Sequence, residues 1–315
     1  MQLALSPMDG VTDLPMRLIT KKYGQPDLMF TEFLNVEGWH FAPERLAPIL
    51  RADLSAEMPL VAQIYGLTPS YFYAAAWEIC TRGFAGIDLN FGCPARTVVN
   101  NGAGGGLIKN PDLAKEIFLA TQSAINDFAE QHHQPALPLS IKTRLGYDRN
   151  QIDTWLPFLL QLKPARISLH ARTLKQGYSG QADWSALPAA VAWRDQISPN
   201  TAIFGNGDVH SRAQAYALAQ QTGVDGVLIG RAAIGNPWVF TSHPPTVAQK
   251  AAVALEHAQL FERTWQAAPK YSFVPMRKYL AAYISDFPAA KSLRLALMQS
   301  TSAADVARLL APLLP

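Results

Sequence analysis

Cys93 is the residue of this chain best placed to do chemistry. It lies in the run Asp88-Leu89-Asn90-Phe91-Gly92-Cys93-Pro94-Ala95-Arg96. The residues before it read as a buried strand, which Gly92 and Pro94 then break. A thiol at the end of such a strand stands at the mouth of an α/β fold, where active sites sit. The next stretch, Asn100-Asn101-Gly102-Ala103-Gly104-Gly105-Gly106, has four glycines in its last five positions and reads as a mobile loop. A thiol beside a water-excluding loop suits proton donation, because an unperturbed pKa near ~8.5 keeps it mostly protonated at neutral pH. The competing reading is a buried core cysteine, the commoner fate of a lone Cys. Cys80, in the helical pattern Glu78-Ile79-Cys80-Thr81-Arg82, is read that way.

A second set of candidates sits where other strands end. Gly205-Asn206-Gly207-Asp208 and Gly230-Arg231-Ala232-Ala233 place glycines at the ends of the seventh and eighth strand-like segments. In a barrel, those two loops commonly hold a phosphate on backbone N–H groups. Arg231 is suited to add a charged hydrogen bond. Lys142 and His170, near the ends of the fifth and sixth segments, are polar within apolar runs. Each has a bland reading, an ion pair for Lys142 and a satisfied core histidine for His170. Two such groups at one mouth suit a planar ligand with electron-rich edges, such as the pyrimidine end of a flavin. Gln63 is expected to read the ring's N3–H and C4=O edge, with the Pro7-Met8 corner against its face. A phosphate-bearing planar cofactor is therefore expected, FMN being the simplest. No GxGxxG fingerprint in a βαβ setting points to a dinucleotide-binding Rossmann unit.

Eight strand-like segments must position these groups: 3–8, 28–33, 60–66, 86–92, 139–145, 166–172, 202–208 and 226–231. Between them lie helical patterns. The clearest are Ser70–Arg82, Pro111–Ala129 behind an Asn110 cap, and Ser211–Thr222 ending before Gly223; the weakest is Pro43–Leu50. This alternation predicts a (β/α)8 TIM barrel over residues 1–240. An open doubly wound sheet would need a glycine-rich turn after the first strand, and Pro7-Met8-Asp9-Gly10 is not one. After Pro244-Pro245 the pattern turns helical, at 246–267, 273–284, 289–299 and 302–313, predicting a small C-terminal helical domain over 245–315. The stretch 241–315 has eight Lys/Arg against four acids, whereas the rest carries a net −1. That asymmetry points to a polyanionic partner, a solvated helix face being the alternative.

With 49% hydrophobic residues, the 315-residue chain can bury a large core, and nothing in it reads as disordered. Two cysteines are too few for a disulfide framework or a zinc site, so no metal is expected. The N-terminus reads as no signal peptide and no apolar stretch reaches membrane-spanning length, so a cytoplasmic setting is expected. His132, His133 and His210 read as loop or surface residues.

Taken together, the motifs resemble the tRNA-dihydrouridine synthase family. They are Leu5-Ser6-Pro7-Met8-Asp9-Gly10-Val11-Thr12-Asp13, Asp88-Leu89-Asn90-Phe91-Gly92-Cys93-Pro94, Lys142-Thr143-Arg144, His170-Ala171-Arg172-Thr173, Gly205-Asn206-Gly207-Asp208 and Gly230-Arg231-Ala232-Ala233-Ile234-Gly235-Asn236-Pro237. Met276-Arg277-Lys278-Tyr279-Leu280 is similar to the family's Arg-Lys-His-Leu motif. The resemblance runs from residue 3 to about 300. It implies an FMN barrel followed by a tRNA-binding helical domain, NADPH as hydride source, and reduction of the uridine C5–C6 bond. Carried over by position, Cys93 is the proton donor. Pro7, Met8, Gln63, Lys142, His170, Asn206, Gly207, Asp208, Gly230 and Arg231 hold FMN. Asn90 faces the uracil. Arg96, Arg144, Arg172, Lys175, Arg277 and Lys278 are expected to meet tRNA, with Lys291 and Arg294 beside them. Flexible D-loop uridines are the expected targets, and a monomer is expected. The chain departs from the family pattern at Ser6 (usually Ala), at Tyr279 (usually His) and at Arg96, which follows Ala95 where Ser-Lys or Ala-Lys is common. Two rivals remain at this level: a small-molecule flavoenzyme of the dihydroorotate or dihydropyrimidine type, and a non-catalytic RNA-binding module. The basic tail speaks against the first, and Cys93, Lys142 and His170 together speak against the second.

Overall fold

In a computed structural model, residues 1–268, 270–285, 287–288 and 290–314 are described. Their strands are β1 (Gln2–Leu5), β2 (Leu28–Asn35), β3 (Leu60–Tyr65), β4 (Gly86–Asn90), β5 (Leu139–Arg144), β6 (Arg166–His170), β7 (Ala202–Asn206) and β8 (Gly226–Ile229). Each pairs in parallel with the next, and β8 closes on β1. The chain is therefore the TIM barrel that its strand-helix alternation predicts. Several ladders stop short of the predicted ends. Met8, Arg172, Asp208 and Arg231 lie beyond the pairing, in the loops that build the mouth.

Strand side chains alternate between two environments. Leu5, Met29, Ile64, Leu89, Ile141 and Leu169 pack outward in the main core beneath the helices. The inward set begins with a separate apolar layer of Ala4, Leu28, Phe30, Val61, Phe204 and Leu228. The Arg166 guanidinium lies 5.2 Å from the ring centres of both Phe30 and Phe204 and donates to Ser140 Oγ at 3.1 Å. Cation–π contact, this hydrogen bond and the attraction of Asp88 are what make a buried guanidinium tolerable there. The polar residues of the interior therefore begin well below the mouth, deeper than the apolar look of the strands suggests.

The helices between strands are α1 (Leu14–Gly24), α2 (Val36–Phe41), α3 (Pro43–Leu46), α4 (Leu54–Glu57), α5 (Pro69–Arg82), α6 (Arg96–Asn100), α7 (Pro111–Gln131), α8 (Ile152–Gln161), α9 (Leu187–Ile197) and α10 (Arg212–Thr222). The predicted caps form: Asn110 accepts from Leu113 N–H, Ser211 accepts from Gln214 N–H, and Gly223 takes a left-handed φ of 76°. The segment Pro43–Leu50 is not one helix. Four residues of α3 lead into a 3-10 turn at Ala47–Leu50, because Pro48 withholds a backbone donor.

Four further helices follow: α11 (Val247–Trp265), α12 (Arg277–Tyr283), α13 (Ala290–Leu297) and α14 (Ala303–Leu310). The predicted start of α13, Ala289, lies outside the described residues. Thr246 and Gln249 close a reciprocal capping box at α11. Ser302 caps α14 through Asp305 N–H, but the Asp305 carboxylate reaches back to Thr301 N–H instead of Ser302, so the box is incomplete. These helices pack on the barrel rather than hanging from it. Lys22 Nζ and Tyr23 Oη, on α1, both donate to Glu256, and Trp265 Nε1 donates to Asp13 Oδ2 at 3.3 Å. Among the described residues no helix is long and apolar enough to cross a membrane.

Arg17 fixes α1 to the barrel. Its side chain is buried, with Nε 2.6 Å from Glu57 Oε1, Nη1 on Thr12 O at 2.7 Å and Nη2 on Arg51 O at 2.8 Å. Removing one partner of such a pair strands the other charge out of water. Arg17→Met is expected to cost about 3–5 kcal/mol in urea unfolding, and Arg17→Met with Glu57→Gln to recover part of it. Equal losses in the single and double variants would contradict the pairing.

Candidate active site

The C-terminal ends of the strands open into one cavity of about 650 Å³. Pro7, Met8, Asp9 and Val11 of the β1–α1 loop form one wall, and Asn90, Cys93 and Val98 another. Lys142, Arg144, His170 and Asn206 rise from β5, β6 and β7, and Gly207, Asp208, Gly230 and Arg231 come from the loops after β7 and β8. Gln63 lines it as well. Every residue expected to hold a cofactor therefore faces one space, together with the thiol.

Cys93 is held by its backbone. Asn90 Oδ1 accepts from Gly92 N–H at 3.1 Å and from Cys93 N–H at 2.9 Å. Asn90 Nδ2 donates to Gln63 Oε1 at 3.0 Å, and Gln63 Nε2 donates to Asp88 Oδ2 at 2.6 Å. Asp88 Oδ1 accepts from Ser140 Oγ at 2.6 Å, which in turn accepts from Arg166. The chain of bonds runs from the barrel floor to the thiol. It gives the Gln63 amide partners in Asp88 and Asn90, while the side chain, which the sequence assigned to a cofactor ring edge, also lines the cavity. Asp88, Ser140 and Arg166 are the members that sequence reasoning passed over, Asp88 being the most telling. A carboxylate in the middle of Gly86–Asn90, on the same parity as Asn90, was its signal.

Burial sets the charge states. Desolvation raises the Cys93 thiol above its ordinary value, and Asp9 adds to the rise. The same cause lowers the Lys142 amine to about 8, with Arg144 assisting. His170 is held well below its usual value by burial and then by Lys142, Arg144, Arg172 and Arg231, so it is neutral. Lys142 Nζ donates to Asn206 Oδ1 at 3.3 Å, and among the described residues no carboxylate lies within ion-pairing distance of it. A desolvated amine with a neutral amide for a partner fits a ligand that brings carbonyl or anionic edges of its own.

The expected RNA contacts divide. Arg144 is brought to the cavity but is buried, donating to the carbonyls of Gly92, Thr173 and Gly177. Arg172 does not reach the mouth, which corrects its reading as a phosphate contact. It is 1% exposed, and its donors are taken by Asp208, Ser179 O and Gly180 O. Asp208 accepts from Arg172, Arg231 and Ala182 N–H, and these donors hold its carboxyl below the ordinary value. Arg96 and Lys175 lie exposed outside the cavity lining. Arg277 Nε bonds Ser300 O, and Lys278 turns inward to Gly10 O.

The glycine-rich stretch is also corrected. It is not a loose loop: Gly104–Lys109 forms a 3-10 helix, with Gly104 and Gly105 buried. A Cβ on Gly105 would come within 2.1 Å of Leu174 Cδ1, and one on Gly104 within 3.1 Å of Cys93 Cβ. These glycines let the segment pack tightly behind the thiol. Sequence reasoning also missed Phe33 and Tyr65, which stand edge to face at 5.5 Å, and Tyr178, whose ring carries Arg231 at 4.9 Å; all three line the cavity.

A model of the family described as "Dihydrouridine synthase (Dus)" matches residues 4–313. This chain belongs to the dihydrouridine synthase family. A probable tRNA-dihydrouridine synthase of Staphylococcus aureus (strain COL) is 35% identical over 311 residues, covering 97% of this chain and 91% of that protein. Probable tRNA-dihydrouridine synthase 2 of Bacillus subtilis (strain 168) is 33% identical, covering 97% and 92%. Among solved structures, a 2-naphthoyl-CoA reductase complex shares the fold at a TM-score of 0.53 and 10% identity, over 76% of this chain and 49% of that one. TcOYE with pHBA does so at 0.50 and 10%, over 86% and 96%. Membership makes the protein an oxidoreductase and retires the non-catalytic RNA-binding module.

A half-buried thiol held above its ordinary pKa has a pH signature. Iodoacetamide alkylation of Cys93 in this dihydrouridine synthase is expected to be slow at pH 7 and to rise through pH 9. Cys93→Ser should remove it, since Cys80 is buried and pushed up to about 11. A rate flat from pH 7 upward would mean a stabilised thiolate and would sink the acid role.

Proposed function

We propose that this synthase reduces the C5–C6 double bond of D-loop uridines in tRNA, with FMN in the cavity, Cys93 as the acid at C5 and NADPH as the ultimate reductant. The observation that carries this reading is that one cavity is lined by both a protonated thiol and a desolvated amine that makes no close ion pair among the described residues. Bound FMN would supply the hydride that adds to C6.

The chain's own residues do the remainder. Lys142 offers a positive charge to the electron-rich pyrimidine edge of the ring, and neutral His170 offers a second polar contact. Gly207 leaves room for close backbone approach: at φ +126°, a Cβ there would come within 2.7 Å of Ala182 and 3.0 Å of His170. Arg231 is half exposed beside it and suits the phosphate. Asp208 orients that arginine, so its carboxylate works through Arg231 and not on the cofactor. Asn90 holds the Cys93 turn and lines the cavity where a uracil would enter.

Cys93 Sγ–H is the proton source for C5. Burial favours the neutral thiol, which keeps the proton available at neutral pH. The thiolate left behind is stabilised by Arg144 and Lys142 and regains a proton from water entering the cavity. Drawing a base out of its stack costs on the order of a few kcal/mol, less in a flexible loop than in a helix. The cavity lies at the strand ends inside the barrel mouth, so an extruded base reaches it better than a stacked one.

Cys93→Ala is expected to retain yellow FMN and to bind full-length tRNA, but to lose dihydrouridine formation at least 100-fold, read by mass spectrometry of digested tRNA. Wild-type turnover in that variant would remove Cys93 from the reaction. Turnover of free uridine as fast as tRNA would favour the small-molecule reading.

A further inference from the structure

We propose that Lys278 and Tyr279 are positioning residues that clamp the cavity's β1–α1 wall, so that the C-terminal helices shape the site from behind rather than through these two side chains touching RNA. The motif Arg277-Lys278-Tyr279 opens α12, and the sequence assigns its basic residues to tRNA. The structure turns two of its three side chains toward the barrel. Lys278 Nζ donates to Gly10 O, and Tyr279 Oη donates to Val11 O at 2.5 Å. Tyr279 is 1% exposed, so its ring has no surface for a nucleotide. Its reach to Val11 O gives a physical role to the residue standing where the family motif usually has His.

The loop they grip is the one that faces the cofactor space. Pro7, Met8, Asp9 and Val11 all line the cavity. Gly10, between them, has φ +65°, and its peptide is held from two sides. Glu32 Oε1, on β2, accepts its N–H at 2.6 Å, while Lys278 takes its carbonyl. Thr12 closes the turn internally through Met8 N–H and Met8 O, both at 3.1 Å. Burial lowers the Lys278 amine below its ordinary value, and Asp13, Glu32 and Asp9 oppose that fall from the barrel side. Losing the clamp would free the Pro7-Met8 corner, which the flavin reading of the cavity sets against the ring.

The test uses the full chain with Lys278→Met and Tyr279→Phe, following three quantities: the FMN dissociation constant, amide hydrogen exchange over residues 8–12, and the salt dependence of tRNA binding. Both variants are expected to weaken FMN binding about tenfold and to speed exchange in that loop. The slope of log affinity against log salt should stay at the wild-type value. Unchanged FMN binding and exchange, with a slope lowered by about one in Lys278→Met, is the behaviour of a phosphate contact and overturns the proposal. Should Lys278→Met not fold, Tyr279→Phe, which removes one oxygen, decides on the same readouts. Should the wild-type chain bind no FMN, the cofactor reading fails separately and loop exchange alone decides the clamp.

Discussion

The desolvated amine of Lys142 is the constraint around which the mouth of the barrel is organised. Taking an ammonium out of water costs several kcal/mol unless something repays it. Here the neighbours offset too little of it: Asn206 offers a neutral carbonyl, Arg144 adds a like charge, and the attraction of Asp88 is smaller than the desolvation cost. The amine falls to about 8 as a result, and nearby His170 stays neutral. A protein that needed only stability would place an aliphatic side chain there. The arrangement makes physical sense when a ligand with electron-rich edges completes it. That expectation agrees with the family to which the chain belongs.

Around that amine the protein is stiff. The thiol is braced from below by the hydrogen-bonded chain through Asn90, Gln63, Asp88 and Ser140, and from behind by glycines packed against it. Arg172 and Arg231 grip one carboxylate, Asp208, and so set the shape of the loop after β7. The first loop is tied to β2 through Glu32 and to α12 through its carbonyls. Precise placement of a reacting group benefits from such bracing, since small displacements carry large rate costs. The cavity opens at the mouth of the barrel, and the glycines behind the thiol are packed in a 3-10 helix.

Much of this was legible in the chain because its signals were local. Strand-helix alternation is a periodicity, and caps such as Asn110, Ser211 and Gly223 depend on residues a few positions away. Strand-end residues Cys93, Lys142, His170, Asn206 and Arg231 could be assigned to one mouth because a parallel barrel places every strand end there. What escaped depended on contacts distant in sequence. Arg172 reads as a surface cation until Asp208, thirty-six residues on, is seen to hold it. The glycine-rich stretch 102–106 reads as mobile because the sequence does not announce Leu174, packed against Gly105. Lys278 reads as a phosphate ligand because Gly10, 268 residues away, is invisible from its own helix. Asp88 was hidden for another reason: inward-pointing polar residues interrupt the apolar runs of a barrel strand only on alternate positions.

The most direct test of the central claim is proton uptake when FMN binds to the full chain, measured by calorimetry in buffers of different ionisation enthalpy. A cavity that uses Lys142 to meet an electron-rich ring raises that amine from about 8 on binding. Close to one proton should then be taken up per FMN at pH 9, very little at pH 7, and none at pH 9 in Lys142→Met. Binding at pH 9 without proton uptake, or with the same uptake in Lys142→Met, would show that the buried amine does not answer the ligand and would contradict the cavity as described.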